Sequence, residues 1–423
     1  MASIKDLVQD TLHKIAQRFR EAESSTQLCT TVVLIITIYI LTTKMSRILS
    51  HAKTGLYHAT ETLSIPLQSG SSTTLSSLVQ SVLSPCKLNP LLFNGDAQTA
   101  ATQFLSHNIL VHYKRHIFEQ EDPAYAGQFA VDFVVRPPPS SAKPNEPPPE
   151  DLPPRTTFFT APEWSTFSTG STDTTPMLVV LHGLSGGSHE LYLRAFLEPL
   201  VSPLTSSAKP LNAPDPAWEA CVLTSRGCAH TTLSTPILYT PAPPGISGKL
   251  SSGGNILVNY LGEEGEKCEL AAAVVVSSVW NLEVSALALA RSWWGTNIYL
   301  RALGSSMKRL FARHEHMIKQ VPGIDVEKVR TLRYLNEFDR YVQCATWGYP
   351  SEAAYYRDAS SVDAMLGVRI PLLAIHALDD PVVCDEVLPY EEIKLRLICI
   401  PPEDGEGGEA RSAFADGAGM AEG

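Results

Sequence analysis

Met177-Leu178-Val179-Val180-Leu181-His182-Gly183-Leu184-Ser185-Gly186-Gly187-Ser188-His189 is the stretch from which the rest of this chain is read. A short, continuous apolar run suits a strand covered on both faces of a parallel sheet. The run empties into glycines, which let main-chain N–H groups approach a bound oxygen closely. Donors placed in this way stabilise the negative charge of a tetrahedral intermediate. The stretch therefore predicts a buried strand feeding an oxyanion-hole loop.

Strand and helix alternate around it, which is the α/β signature. Residues 109–118 and 128–135 alternate apolar and polar side chains and predict an antiparallel pair opening the sheet at its edge. Residues 189–200 have helical spacing, and 218–224 form another apolar strand that runs into Ser225-Arg226-Gly227-Cys228. Residues 270–277 and 370–376 predict two further strands, the second ending in Ala377-Leu378-Asp379-Asp380-Pro381. Between them lies a helical block, 283–360, whose Leu, Trp, Met and Phe residues suit either a lid over a site or core packing.

The chain has 423 residues, 44% of them hydrophobic, enough for one large α/β domain or two average ones. Its formal charge is -11, and no basic stripe with interleaved aromatics is visible along the sequence, so nucleic acid is not an expected partner. The eight cysteines are scattered without a C-x-x-C pair or zinc-finger histidine spacing. They read as reduced structural thiols, and neither a metal nor an organic cofactor is expected.

Residues 28–43 contain no charge and predict a single membrane anchor, just short of the ~17 to 25 residues usual for a spanning helix. A short span suits a thinner membrane such as the endoplasmic reticulum, and a lipid-droplet surface is the other expected location. A cleaved signal peptide and a buried core helix are the rival readings. Lys14, Arg18 and Arg20 balance Lys44, Arg47 and Lys53, which leaves orientation open. The expected organisation is an amphipathic segment (1–27), the anchor (28–43), a linker (44–85), the α/β domain (86–400) and a disordered acidic tail (401–423). Within the domain, the proline-rich stretch 137–154 reads as an exposed loop, an insertion or a ligand for a proline-recognising module.

A serine esterase needs a nucleophile on a sharp strand-to-helix turn, an acid at a later strand end and a base after that acid. Asp380, with Asp379 beside it, stands where the acid belongs, although a solvated turn carboxylate reads the same way. The nearest match to G-x-S-x-G is Lys249-Leu250-Ser251-Ser252-Gly253, followed by a helix-like 255–261. Its first glycine is a lysine, and Pro241, Pro243 and Pro244 crowd its approach, so a Ser/Gly loop is the alternative. His376 is the last histidine and precedes Asp380. His182, His189 and His230 are the conceivable substitutes for a base, His182 within the oxyanion loop and the others at capping or packing positions.

These residues resemble the membrane-anchored α/β-hydrolases of family 4, the medium-chain fatty-acid ethyl ester synthase/esterases and abhydrolase-type lipases. The resemblance runs through His182 to His189, Ser225-Arg226-Gly227-Cys228, Asn255-Ile256-Leu257-Val258-Asn259-Tyr260-Leu261-Gly262-Glu263-Glu264-Gly265, Tyr355-Tyr356-Arg357-Asp358-Ala359-Ser360-Ser361 and His376 to Asp380. It implies an α/β-hydrolase fold with a mostly parallel sheet and a helical lid. It implies Ser251 as nucleophile, Asp380 as acid, and the N–H groups of Leu184 and Ser252 as oxyanion donors. It further implies ester hydrolysis or acyl transfer on medium-chain acyl lipids, with acyl-CoA a plausible donor. In the family a helix and strand precede the serine turn and a Gly-Gly-His turn follows the last strand. Neither is present here, so the fold is expected to be incomplete and the activity impaired, or the chain to be a lipid-binding or regulatory pseudoenzyme.

Overall fold

A computed structural model describes residues 54–59, 63–67, 69–83, 92, 94–104, 109–120, 126–137, 152–170, 175–205, 218–236, 238 and 253–395. The anchor expected at 28–43, most of the proline-rich stretch and the tail from 401 lie outside the described residues. Among the described residues no helix is long and apolar enough to cross a membrane.

The chain divides into two compact units. The smaller comprises Met1–Leu56, Val82–His107 and Asp379–Pro381. Its described part centres on one helix, whose first turn is capped by Asn94 Oδ1, accepting from Ala97 N–H at 2.9 Å. The Asp379 carboxylate accepts from Gly95 N–H at 2.8 Å in the same turn.

In chain order the elements are β1 (Ser64–Pro66), β2 (Ser72–Thr74), α1 (Leu75–Val82), α2 (Gly95–Phe104), β3 (His112–Gln120), β4 (Gly127–Val135), β5 (Thr156–Phe158), α3 (Ala161–Phe167), β6 (Met177–Leu181), α4 (Leu191–Thr205), β7 (Glu219–Thr224), α5 (Gly253–Glu264) and β8 (Ala273–Val276). A helical layer follows: α6 (Leu282–Arg291), α7 (Leu300–Ile318), α8 (Val326–Thr331), α9 (Leu335–Phe338), α10 (Cys344–Trp347) and α11 (Glu352–Ala359). Strand β9 (Leu372–Ile375) and helix α12 (Tyr390–Leu395) complete the order.

The expected linker 44–85 is more than a connection. Strands β1 and β2 form an antiparallel hairpin, closed by Leu67 N–H on Ser71 C=O at 2.8 Å and by Gly70, whose φ of 82° gives the turn its hand. Three-residue strands, Ser-Ile-Pro and Ser-Thr-Thr, carry too little apolar alternation to be read from sequence.

The larger unit carries a five-stranded sheet in the order β5-β3-β4-β7-β6. Strands β3 and β4 pair antiparallel over their whole length, from His112 against Val135 to Gln120 against Gly127. They are not the sheet edge that their position in the chain suggested, because β5 adds parallel to β3 and β7 antiparallel to β4. Strand β6 pairs parallel with β7. It is not covered on both faces: Leu178 and Val180 pack with Leu193, Leu197 and Val201 of α4, whereas Met177 and Val179 are 41% and 45% exposed.

A second sheet consists of β8 and β9 alone, paired parallel. The C-terminal ends of β6 and β8 converge on the first turn of α5, where Gly253 abuts Leu181 and His182 and Gly254 abuts Ser278. No ladder joins β6 to β8 among the described residues. A parallel strand bonded on one side only leaves alternate N–H and C=O groups facing away from its partner. On β8, Ala273 and Val275 are buried, while Val274 and Val276, on the other face, are 49% and 60% exposed. Among the described residues the α/β sheet is thus interrupted between β6 and β8.

The helical layer has a core of its own. Met307, Leu310, Phe311, Ile318, Phe338, Val342, Tyr355 and Tyr356 are buried together, with Cys228 and Leu238 from the segment after β7. Its apolar residues are therefore largely explained by packing. In hydrogen–deuterium exchange, peptides covering β6 and β8 are expected to exchange faster than one covering β4, which is laddered on both sides. Equal protection would mean that the interruption is filled in solution.

Candidate active site

The loop after β6 is held by bonds that engage most of its polar groups. Ser225 N–H donates to His182 Nε2 at 3.0 Å, which makes that nitrogen the acceptor and leaves Nδ1 to donate to Gly183 C=O at 2.6 Å. Burial pushes the His182 imidazole down to about 4, so it is neutral near pH 7. With both ring nitrogens engaged, His182 joins the ends of β6 and β7 and has no lone pair left to serve as a base. Gly183 N–H donates to Tyr192 Oη at 2.7 Å, and Gly186 N–H to Gly183 C=O at 3.1 Å. Ser185 takes a left-handed φ of 56°, and its hydroxyl bonds Ser306 of α7 at 2.7 Å. The N–H of Leu184, the expected oxyanion donor, is uncommitted among the described residues, while its side chain packs on the helical core.

Beneath this loop lies a buried ion pair. Arg115 on β3 and Asp132 on β4 stand opposite each other in register, joined by two bonds of 2.6 and 2.8 Å. Arg115 also donates to Ala229 C=O at 2.8 Å, and Ser188 donates its hydroxyl to Asp132 Oδ2 at 2.5 Å. The pair thereby holds two loops, the one after β6 and the one after β7. Ala229 and His230 in the second loop both take positive φ, at 46° and 64°. The loops touch at Gly187, where a Cβ would lie 2.4 Å from Ala229 Cβ. His189 and His230 face one another with ring centroids 6.4 Å apart, and burial followed by the His230 charge lowers the His189 pKa.

Helix α5 approaches the same loop end-on. Gly253 N–H donates to His182 C=O at 3.1 Å, and a Cβ at Gly253 would come within 2.7 Å of both Leu181 Cβ and His182 O. Only glycine permits that approach. The helix is pinned from its other side by two buried amides. Asn255 Nδ2 donates to Val279 C=O at 2.8 Å and to Ser361 Oγ at 3.2 Å, and Asn259 Nδ2 donates to Asn255 Oδ1 at 3.1 Å. The asparagines of the 255–265 motif and Ser361 of the 355–361 motif thus meet in one network.

Ser251 and Ser252 directly precede α5 in the chain and lie outside the described residues. Asp380 falls in the smaller unit, five positions past the end of β9 in the chain. Its neighbour Asp379 is taken as a helix-capping acceptor, and His376 donates through Nε2 to Val383 C=O at 2.9 Å. Of the expected residues, the structure thus brings the Leu184 loop to the start of α5. Arg115, Asp132 and Ser188 were not anticipated, although a charged residue at the inward position of each of two alternating strands is a legible signal. Among the described residues no group of three or more His, Cys, Asp or Glu is placed to hold a metal ion. Buried Cys221 is a packing thiol, pushed up to about 12 by desolvation.

Two outcomes follow from these bonds. Removing the charge with Asp132→Asn leaves Arg115 buried and unpaired, which should cost about 3 to 5 kcal/mol in urea unfolding. His182 is neutral when folded and titrates near 6.5 when unfolded, so the unfolded chain binds more protons between those values. Its contribution is present above pH 6.5 and is lost as pH falls towards about 4, amounting to about 3 kcal/mol. His182→Gln should flatten that part of a stability profile measured from pH 7 to 4.

No family model matches the chain. Monoacylglycerol lipase of Saccharomyces cerevisiae is 30% identical over 349 residues, covering 75% of this chain and 74% of that protein. That span exceeds the part of this chain it engages, so the relative carries residues within the match for which this chain has no counterpart. Medium-chain fatty acid ethyl ester synthase/esterase 2 of the same organism is 28% identical over 246 residues, covering 49% of this chain and 52% of that protein. Phospholipase ABHD3 of Homo sapiens is 33% identical over 242 residues, covering 52% and 54% respectively. The chain spans about half the length of the last two. With its α/β elements in the expected order and its glycine-lined loop at the end of β6, the chain belongs to the α/β-hydrolase family of these lipases and esterases.

Proposed function

We propose that the chain is a membrane-associated serine ester hydrolase or acyltransferase for medium-chain acyl lipids, of acylglycerol lipase or ethyl ester synthase type, and that its activity is impaired. In this reading Ser251 attacks the acyl carbonyl. The N–H groups of Leu184 and Ser252 receive the oxyanion, and Asp380 holds the place of the acid that would orient a base. With no base engaged, the Ser251 proton passes to water and water protonates the departing alcohol, and the acyl-enzyme then passes its acyl group to water or to a second alcohol. The anchor expected at 28–43 would hold the protein at the endoplasmic reticulum or a lipid-droplet surface.

The observation that carries the reading is the glycine-tight seat of α5 on the end of β6. It places the chain immediately after Ser252 against the backbone of the loop that contains Leu184, as nucleophilic acyl transfer requires. Impairment is argued from two features. Among the described residues the sheet is interrupted beside that seat, and His182, the histidine of the oxyanion loop, has both nitrogens engaged. Without a base, serine attack retains only binding and oxyanion stabilisation, roughly 10^3 to 10^4 over water. Those same features favour the second reading, a lipid-binding or regulatory pseudoenzyme on the same scaffold.

A fluorophosphonate probe separates the two. On the enzyme reading, folded protein is labelled at Ser251, slowly, and Ser251→Ala abolishes the label. Folded protein that takes no label while still binding acyl lipid would establish the pseudoenzyme.

A further inference from the structure

Helix α7 turns two different faces to its surroundings. Its inner face is buried through Leu300, Met307, Leu310, Phe311 and Ile318, and Ser306 reaches the Ser185 hydroxyl of the loop after β6. Its outer face is basic. Arg301, Arg309 and Arg313 are all exposed and recur at intervals of eight and four residues, so they lie along one side of the helix; exposed His316 follows a kink at His314, whose φ and ψ of -113° and 15° are not helical. None of the three arginines pairs with a carboxylate among the described residues. Arg301 stacks over the Tyr334 ring, and Arg309 donates to Ser305 Oγ. Glu315, the single acidic residue of α7, is engaged by Arg330. This concentration of positive charge stands out on a chain of net charge -11.

The same line continues backwards into apolar surface. A π-helical turn, Gly295–Tyr299, leads into α7. Ile298, four positions before Ala302, is 43% exposed, and Trp293 and Trp294 are 66% and 59% exposed. The two indoles lie 5.3 Å apart and nearly perpendicular, in contact with each other while facing solvent. Leu287 of α6 is exposed as well. Exposed indoles beside apolar side chains and unpaired arginines are the complement of a bilayer interface. Indole partitions to the headgroup level, aliphatic groups enter the acyl boundary, and guanidinium groups meet phosphate.

We propose that Trp293 and Trp294, followed by Arg301, Arg309 and Arg313, dock the helical layer on an anionic phospholipid surface. Docking needs neither Ser251 nor residues 28–43. It deepens the reading of a lipid-directed protein without depending on ester chemistry, because α7 connects this face to the oxyanion loop through Ser306.

The test uses the full chain with phosphatidylcholine vesicles, with and without phosphatidylserine, carrying brominated acyl chains. Tryptophan emission should shift to the blue and be quenched in the anionic vesicles, and Trp293→Phe/Trp294→Phe should remove most of the quenching. Arg301→Glu/Arg309→Glu/Arg313→Glu should lower partitioning by roughly a hundredfold, since each basic group near an anionic surface contributes on the order of a factor of five. All of these side chains are exposed, and an unchanged circular dichroism spectrum confirms that the variants fold. Three results overturn the proposal: no vesicle binding by the parent chain, quenching that survives the tryptophan substitutions, or partitioning indifferent to charge reversal. Self-association lost in the same variants would identify a second copy as the occupant and overturn it equally. Fluorophosphonate labelling of the same samples reports on Ser251 independently, so failure of docking and failure of the esterase reading are distinguishable.

Discussion

The buried pair of Arg115 and Asp132 is the constraint on which the site end of the sheet depends. Two charges removed from water are tolerated only when their hydrogen-bonding capacity is met by well-placed partners. Here each partner belongs to a different loop: Ala229 C=O takes one arm of the guanidinium, and the Ser188 hydroxyl satisfies the carboxylate. Strand pairing fixes where the ions stand, and the ions then fix where the loops after β6 and β7 stand. The left-handed residues Ser185, Ala229 and His230 lie in those same loops, so backbone strain is held where several bonds over-determine it.

Helix α5 is the second joint. Its first turn touches the end of β6 through Gly253 and the segment after β8 through Gly254, and Asn255 secures it to Val279 and Ser361. Two sheets are thereby brought to one helix end, with no strand between them among the described residues. Among the described residues β6 ladders only with β7 and β8 only with β9. Val179 and Val276 stand on strand faces that no described element covers, and both are exposed.

The helical layer shows how one element serves two surroundings. On its inner side α7 packs in a core that includes Cys228 and Leu238, and on its outer side it presents arginines. Between the two lies the Ser306 hydroxyl, bonded to Ser185 of the loop after β6.

Local pattern determined much of this protein. Alternation in 109–118 and 128–135, the apolar runs ending at Leu181, Thr224 and Ser277, and the glycines after His182 were sufficient for the α/β order and for locating the loop. Periodicity of two or 3.6 residues is a property of neighbours in the chain, so elements of this kind are legible without a fold. Tertiary structure alone decided the rest. It joined Arg115 to Asp132, engaged both nitrogens of His182 and, among the described residues, left β6 laddered to β7 alone. Each of these depends on which groups from distant parts of the chain meet in space, and pairing, burial and desolvation exist only once that meeting has taken place.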